Sequence, residues 1–344
     1  MTPELNPELN PELNPEQREL LARFSAGEPL ALSRTISLVE NQLPGFEALL
    51  HALHDRLGGA RRIGITGPPG AGKSTLTAGL ARRFRDAGEK VGVIAVDPSS
   101  PFTGGALLGD RIRMNALATE PGIFIRSMAS RGSHGGLSAT TREATDLLDA
   151  FGFGRILLET VGVGQSELEI ASQADTTVLV LVPESGDGIQ AMKAGLMEVA
   201  DLLVVNKADR PGADRLRSEI RVVSHLKQGV ATSLERPDTA AAWDPPILMT
   251  VASTGEGIDE LAEELDRHHA YLASGEGLAR RRRAAALDHT RMVLERAVGR
   301  RVAEAWAREV AGGHDPLNDD ESPYEVARRI AARLCPPHPD VPPS

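Results

Sequence analysis

The chain has 344 residues, 41% of them hydrophobic, with a formal charge of −10 and a pI near 5.5. A chain of this size and composition buries a full core and suits one large domain with helical additions, or two domains. The acidic balance excludes a general nucleic-acid binder, whose phosphate contacts call for a basic face, but leaves room for a small anionic ligand in a local pocket. No apolar stretch reaches the roughly 18 residues of a membrane span, so no membrane association is expected. No basic residue precedes Arg18, which fits neither a secretory signal nor an Arg-rich transit peptide. Cys335, the single cysteine, allows no intrachain disulfide and suits a reducing compartment, so the expected location is the cytoplasm.

The first 17 residues carry the repeat "TPELNPELNPELNPEQ", in which proline recurs too often for a continuous helix, and 1–17 is expected to be disordered. Over 18–60, Leu20, Leu21, Phe24, Leu32, Ile36, Val39, Leu49, Leu50, Leu53 and Leu57 fall at helical spacing between "SAGEP" and "LPG" breaks, which predicts a helical extension. From 61 to 272 short β-rich runs alternate with helical ones. "RRIGITG", "KVGVIAVD", "GIFIRSM", "RILLET", "TTVLVLVP", "DLLVVNK" and "PPILMTVA" read as buried strands of a mostly parallel sheet covered on both faces, an α/β fold. Over 273–335, Leu287, Leu294, Val298, Val302 and Trp306 make an apolar stripe on one helix, expected to pack against a second copy of the chain. Residues 336–344 form a proline-rich tail. The run Arg280 to Arg283 reads as a solvated or interface turn and not as a nucleic-acid patch.

The first strand ends in "GPPGAGKST": Gly67, Pro68, Pro69, Gly70, Ala71, Gly72, Lys73, Ser74 and Thr75. This fits the phosphate-loop pattern at every fixed position. Glycines let the backbone turn its amides toward phosphate oxygens, Lys73 supplies charge for the β and γ phosphates, and Ser74 is a candidate magnesium ligand. "VVNKAD" then selects the base. Asn206, Lys207 and Asp209 have the N-K-x-D arrangement of the guanine-reading motif of GTPases, and the Asp209 carboxylate can accept from guanine N1–H and the exocyclic amine. Adenine offers it no such pair and would leave the carboxylate desolvated at a cost of roughly 1–3 kcal/mol or more. Val251, Ala252 and Ser253 in "TVASTGEGI" stand where such proteins contact guanine O6 through the backbone, with Val251 in place of the usual serine. "LLETVG" occupies the place of Asp-x-x-Gly, with Glu159 as the strand-end acid for magnesium and Gly162 as the glycine that senses the γ-phosphate. Asp97, ending "VGVIAVD", and Asp110, in "GGALLGDRIRM", are further candidate magnesium ligands. Taken singly, Asp110 reads as a solvated loop residue, whereas Asp97 sits at the carboxyl edge of the sheet.

"GPPGAGKST", "VIAVDPSSPFTGGALLGDRIRM", "LLETVGVGQSE", "VPESGDGIQAMKAG" and "VVNKAD", in this order, resemble the MeaB/ArgK family of methylmalonyl-CoA mutase-associated GTPases, over about Leu20 to Val310. The resemblance implies a phosphate-loop GTPase domain with a helical amino-terminal extension and a helical carboxy-terminal dimerisation arm. It implies binding of GTP, GDP and Mg2+, slow hydrolysis that a partner stimulates, and a homodimer. The implied partner is an adenosylcobalamin-dependent acyl-CoA mutase, whose cofactor loading the family gates and which it protects and reactivates. The resemblance also marks Lys193, in "GDGIQAMKAG", as part of a third switch contacting the mutase, flanked by Gly186 and Gly188. Val163 stands where Ras-like proteins place the water-orienting glutamine, and Gln165, two residues later, is the candidate here. Two other readings stay open: an ATP-dependent kinase or regulator of basic amino-acid transport, against which Asp209 argues, and a nickel-insertion GTPase. For nickel, "DRHHAYL" offers only His268 and His269, which point about 100° apart on a helix and chelate poorly. "SRGSHGGLSATT", with His134, is a glycine-rich candidate for a moving loop.

Overall fold

A computed structural model describes residues 13–98, 117, 119–130, 139–160, 166–183, 195–231, 243–311 and 321–334. The chain opens with α1 (Pro15–Ser25), α2 (Pro29–Glu40) and α3 (Phe46–Leu53). Helix α1 starts inside the stretch whose prolines argued against helix. The reason is local. Proline at the first helical position gives up an amide that has no intrahelical partner anyway, and the last repeat unit reads Asn-Pro-Glu-Gln where earlier ones read Asn-Pro-Glu-Leu. Asn14 Oδ1 accepts from Gln17 N at 2.9 Å, and Gln17 Oε1 accepts from Asn14 N at 3.1 Å, so the glutamine closes a capping box that leucine cannot form.

The elements then run β1 (Arg61–Thr66), α4 (Lys73–Asp86), β2 (Val91–Pro98), β3 (Ile123–Ser130), α5 (Ala139–Phe151), β4 (Arg155–Thr160), α6 (Ser166–Gln173), β5 (Thr176–Leu181), α7 (Leu196–Val199), β6 (Leu202–Asn206), α8 (Ala213–Ala231), β7 (Ile247–Thr250) and α9 (Ile258–Ala273). The strands form one seven-stranded sheet in the order β3-β2-β4-β1-β5-β6-β7, with every pairing parallel. All strands therefore end at the same edge, with β1 central. Side chains alternate between two covered faces. On β4, Leu157 joins Leu76, Leu80 and Phe84 of α4 and Leu261 and Leu265 of α9. Its neighbours Ile156 and Leu158 join Leu147 of α5, Ile170 of α6, and Phe24, Leu32 and Ile36 of α1 and α2. The amino-terminal extension is thus part of the layer that buries one face of the sheet. A third cluster sets Leu179, Leu181, Leu203 and Val205 against Leu196 of α7 and Leu216 and Ile220 of α8.

The amino edge of the sheet, opposite the strand ends, carries a network of buried charge. Asp149, at the end of α5, accepts from the amides of Gly58, Gly59 and Ala60 and from Arg62 Nη2. Burial works against the Arg62 charge, but Asp146 foremost, then Asp149 and Asp175, outweigh it and raise its pKa. Helix α10 (Gly277–Ala311) is fastened here by its first turns. Arg281 forks onto the Asp201 carboxylate at 2.6 and 2.7 Å, and Arg282 donates to both oxygens of Asp175 and to the carbonyls of Gly58 and Ala60. In the arginine run, Arg280 and Arg283 are exposed, whereas Arg281 and Arg282 pair inward. The described residues fall into two compact units that divide after Ala285. In the second, α11 (Pro323–Leu334) buries Val326 and Ile330, and its Arg329 and Arg333 pair with Glu309 of α10.

Candidate functional site

The carboxyl edge gathers the loops that follow β1, β4, β6 and β7. After β1 the chain turns at Gly67 (φ 137°), where a Cβ would collide with the Val180 carbonyl of β5, and at Gly72 (φ 86°), where it would strike the Asn206 amide. Only glycine fits either place. Between them Pro68 and Ala71 are buried, and Pro69 and Gly70 are exposed. Lys73 and Ser74 open α4, whose first-turn amides have no intrahelical acceptor and whose positive dipole end faces the loop. Thr75 is exposed beside them. Lys73 is buried, and its Nζ donates to the carbonyls of Gly67 and Pro68 at 2.7 and 3.0 Å, which holds the ammonium inside the curve of the loop.

Glu159 comes from β4 next to β1, in register with Ile65. Its side chain is buried, and Oε1 accepts from Ser74 Oγ at 2.5 Å, so two oxygen donors from different elements stand side by side. That is the donor type a hard divalent cation prefers. The next residues of these strands also meet: Thr160 Oγ1 donates to Thr66 Oγ1 at 3.3 Å.

Asn206, at the end of β6, ties the loops together. Its Nδ2 donates to Ala71 O at 2.8 Å, and its Oδ1 accepts from Thr250 Oγ1 and from the amide of Ala252, both at 3.1 Å. Lys207 follows with positive φ (57°), and its Nζ donates to Gly70 O at 2.8 Å. The turn continues with Ala208 N donating to Thr250 O, which leaves Asp209 exposed. On the facing loop Val251 is buried and its amide donates to Glu256 O, with the Val251 carbonyl accepting from Thr254 and Gly255. The place usually taken by a serine is therefore stabilised by main-chain bonds, and Ser253 is exposed at the tip.

The site thus brings together the whole phosphate loop, Glu159, Asn206, Lys207, Asp209, Val251, Ala252 and Ser253. Of Asp97 only the backbone is described, in register with Ala129 near the end of β2. Asp110, His134, Gly162, Val163, Gln165, Gly186, Gly188 and Lys193 lie outside the described residues. Sequence reasoning missed Thr66, Thr160 and Thr250, all buried. Their signal was a threonine closing strands otherwise rich in Ile, Leu and Val. His268 is fully buried, with Nδ1 2.8 Å from Thr176 Oγ1 and its ring 4.7 Å from that of Trp243. Among the described residues no cluster of three or more His, Cys, Asp or Glu side chains is placed to hold a metal ion, and no helix is long and apolar enough to cross a membrane.

A central β1 running through a glycine-rich turn into α4, with an N-K-x-D turn clasped onto that loop, defines a phosphate-loop GTPase. Residues 32–307 match the family model of the methylmalonyl Co-A mutase-associated GTPase MeaB, and the chain belongs to that family. It is 44% identical over 317 residues to a Pyrococcus horikoshii protein named as a GTPase, an alignment covering 92% of this chain and 98% of the relative. It is 40% identical to the GTPase ArgK of Escherichia coli, over 75% of this chain and 77% of ArgK. It is 39% identical to the mouse mitochondrial methylmalonic aciduria type A homolog, over 64% of this chain and 52% of that protein. Among solved structures, one described as a LAO/AO transport system kinase superposes with a TM-score of 0.64 at 28% identity, over 94% of this chain and 99% of the other.

Proposed function

We propose that this GTPase binds GTP with Mg2+ at the carboxyl edge and acts as a chaperone of an adenosylcobalamin-dependent acyl-CoA mutase, gating cofactor loading and protecting the mutase. The observation that carries the nucleotide half is the Asn206 clasp, which joins the phosphate loop to the turns that follow β6 and β7. The residues present fit the nucleotide and its metal: Gly67 and Gly72 let the loop close against Val180 and Asn206, and Ser74 and Glu159 pair oxygen donors for the ion. In this reading Lys73 meets the β and γ phosphates, Ser74, Glu159, Asp97 and Asp110 hold Mg2+, and Asp209 reads the guanine edge. Lys207 lies along the base and the 251–253 turn faces O6. Mg2+, when bound, neutralises charge on the phosphates.

The mutase half is supported by membership of the MeaB family, whose description names a methylmalonyl Co-A mutase. Val163 stands in place of the water-orienting glutamine, with Gln165 two residues later as the candidate, so turnover alone is slow. The mutase then stimulates turnover, with Lys193 as the residue through which it acts. Gly162 senses the γ-phosphate, and the protein works as a homodimer in the cytoplasm. Titration calorimetry with GTP and ATP tests the first half: a clear GTP preference is expected, and equal or tighter ATP binding overturns it in favour of the ATP-dependent kinase reading. Phosphate release with and without the mutase tests the second. Acceleration of tenfold corresponds to about 1.4 kcal/mol, and Lys193→Ala should lose it. A Lys193→Ala protein that responds as fully as wild type removes Lys193 from the mechanism.

A further inference from the structure

The β1–β4 ladder stops one residue short of the site. Its last matched pair is Ile65 with Glu159, whereas on the other side of β4 the pairing with β2 continues to Val96 and Thr160. Past the end of the β1–β4 ladder stand Thr66, which still pairs with Leu179 of β5 and immediately precedes the phosphate loop, and Thr160, immediately after Glu159. Both are almost fully buried, and their hydroxyls bond to each other at 3.3 Å. The sheet interior around them is Ile, Leu and Val, and valine has the shape of threonine without its hydroxyl. A buried hydroxyl pair costs desolvation that valine avoids, so packing alone does not account for it.

We propose that Thr66 and Thr160 are positioning residues that extend the β1–β4 pairing by one side-chain bond and so fix Glu159 against Ser74. The inference rests on the reading of Ser74 and Glu159 as the magnesium-binding pair of a GTP site. Glutamate has one rotatable methylene more than the aspartate common at this place in GTPases, and its carboxylate therefore wanders more unless the backbone beneath it is held. The 2.5 Å contact from Ser74 Oγ to Glu159 Oε1 requires the end of β4 and the first turn of α4 to keep one separation. Ser74 is set by the phosphate loop that Thr66 leads into, and Glu159 by the strand end that Thr160 closes. The threonine bond links these two supports directly.

The test compares GDP affinity in excess Mg2+ with affinity in chelator, using a fluorescent GDP analogue, for wild type, Thr160→Val, Thr66→Val, the double variant and Thr160→Ser. The full-length protein is used throughout. Each valine variant should lose three- to tenfold in the Mg2+-dependent part of the affinity while its affinity in chelator stays within twofold of wild type. The double variant should lose no more than either single one, because both remove the same bond. Thr160→Ser, which keeps the hydroxyl, should restore the Mg2+ effect. Valine variants with lowered melting temperature but an unchanged Mg2+ effect would show a purely structural pair and overturn the proposal, as would losses that add in the double variant. Failure of wild type to bind guanine nucleotide at all would instead overturn the GTPase-site reading on which this one stands.

Discussion

Asn206 shows how a single carboxamide assembles the site. Its three bonds reach Ala71, Thr250 and Ala252, on both flanking loops, and it is buried, so truncation leaves those partners without their acceptor or donor. Asn206→Ala should therefore weaken GTP binding by about 1–3 kcal/mol, a Kd raised roughly ten- to hundredfold, with the fold retained; calorimetry alongside a thermal melt separates the two effects. Lys73→Ala removes the ammonium that two loop carbonyls hold in place. Hydrolysis should fall by about a hundredfold or more, the scale of losing one preorganised charge at a reacting phosphate, and turnover within tenfold of wild type would refute its assigned role. At this scale the sequence was most legible where chemistry fixes spacing: the phosphate loop and N-K-x-D are contiguous motifs, and the fold bonds one to the other. Thr66, Thr160 and Thr250 were visible only as threonines closing apolar strands; their roles were not legible, because each acts by meeting a side chain more than 40 positions away.

Elements were legible to the extent that their periodicity was local. All seven strands occur, and parallel pairing follows from their alternation with helices. The amino edge was illegible for the opposite reason: Arg281 and Arg282 find Asp201 and Asp175 roughly 80 and 107 residues back in the chain. Nothing in an arginine run tells which of its members turn inward. That edge makes a prediction about acid stability. Burial alone would push the Asp201 carboxyl up, but the Arg281 fork, followed by His268, outweighs it and holds the group below the usual carboxylate range. A depressed folded pKa means that ionised Asp201 adds stability above its unfolded value, near 3.9, and that the contribution drains away as pH falls through the lower folded value. Asp201→Asn should cost about 2 kcal/mol at neutral pH, less than a fully buried pair because Arg281 keeps contact with solvent. In urea unfolding its stability should also fall less steeply than that of wild type between about pH 4 and pH 2. A wild-type-like acid limb in the variant would show that another carboxylate governs it.

At the scale of the whole molecule the arm helix is what a single chain leaves unfinished. None of the 35 residues of α10 is buried, yet Leu287, Leu294, Val298, Val302, Trp306 and Val310 recur at seven- and four-residue steps, each between 46% and 62% exposed. An apolar stripe of this length on a soluble monomer is uncommon. Each of these side chains, already partly covered, has about 1 kcal/mol to gain from burial. In a two-fold pairing every gain is counted on both chains, so a self-complementary stripe is the economical way to cover it. The same symmetry makes the contact sensitive to charge, because one introduced glutamate places two at the seam. Leu294→Glu combined with Trp306→Glu should therefore convert the protein from dimer to monomer in sedimentation velocity at micromolar concentration. GTP affinity and helix content should be unchanged, since neither residue belongs to the loops that follow β1, β4, β6 and β7. A wild-type protein that sediments as a monomer, or a doubly substituted one that still sediments as a dimer, would place the dimer contact elsewhere or remove it.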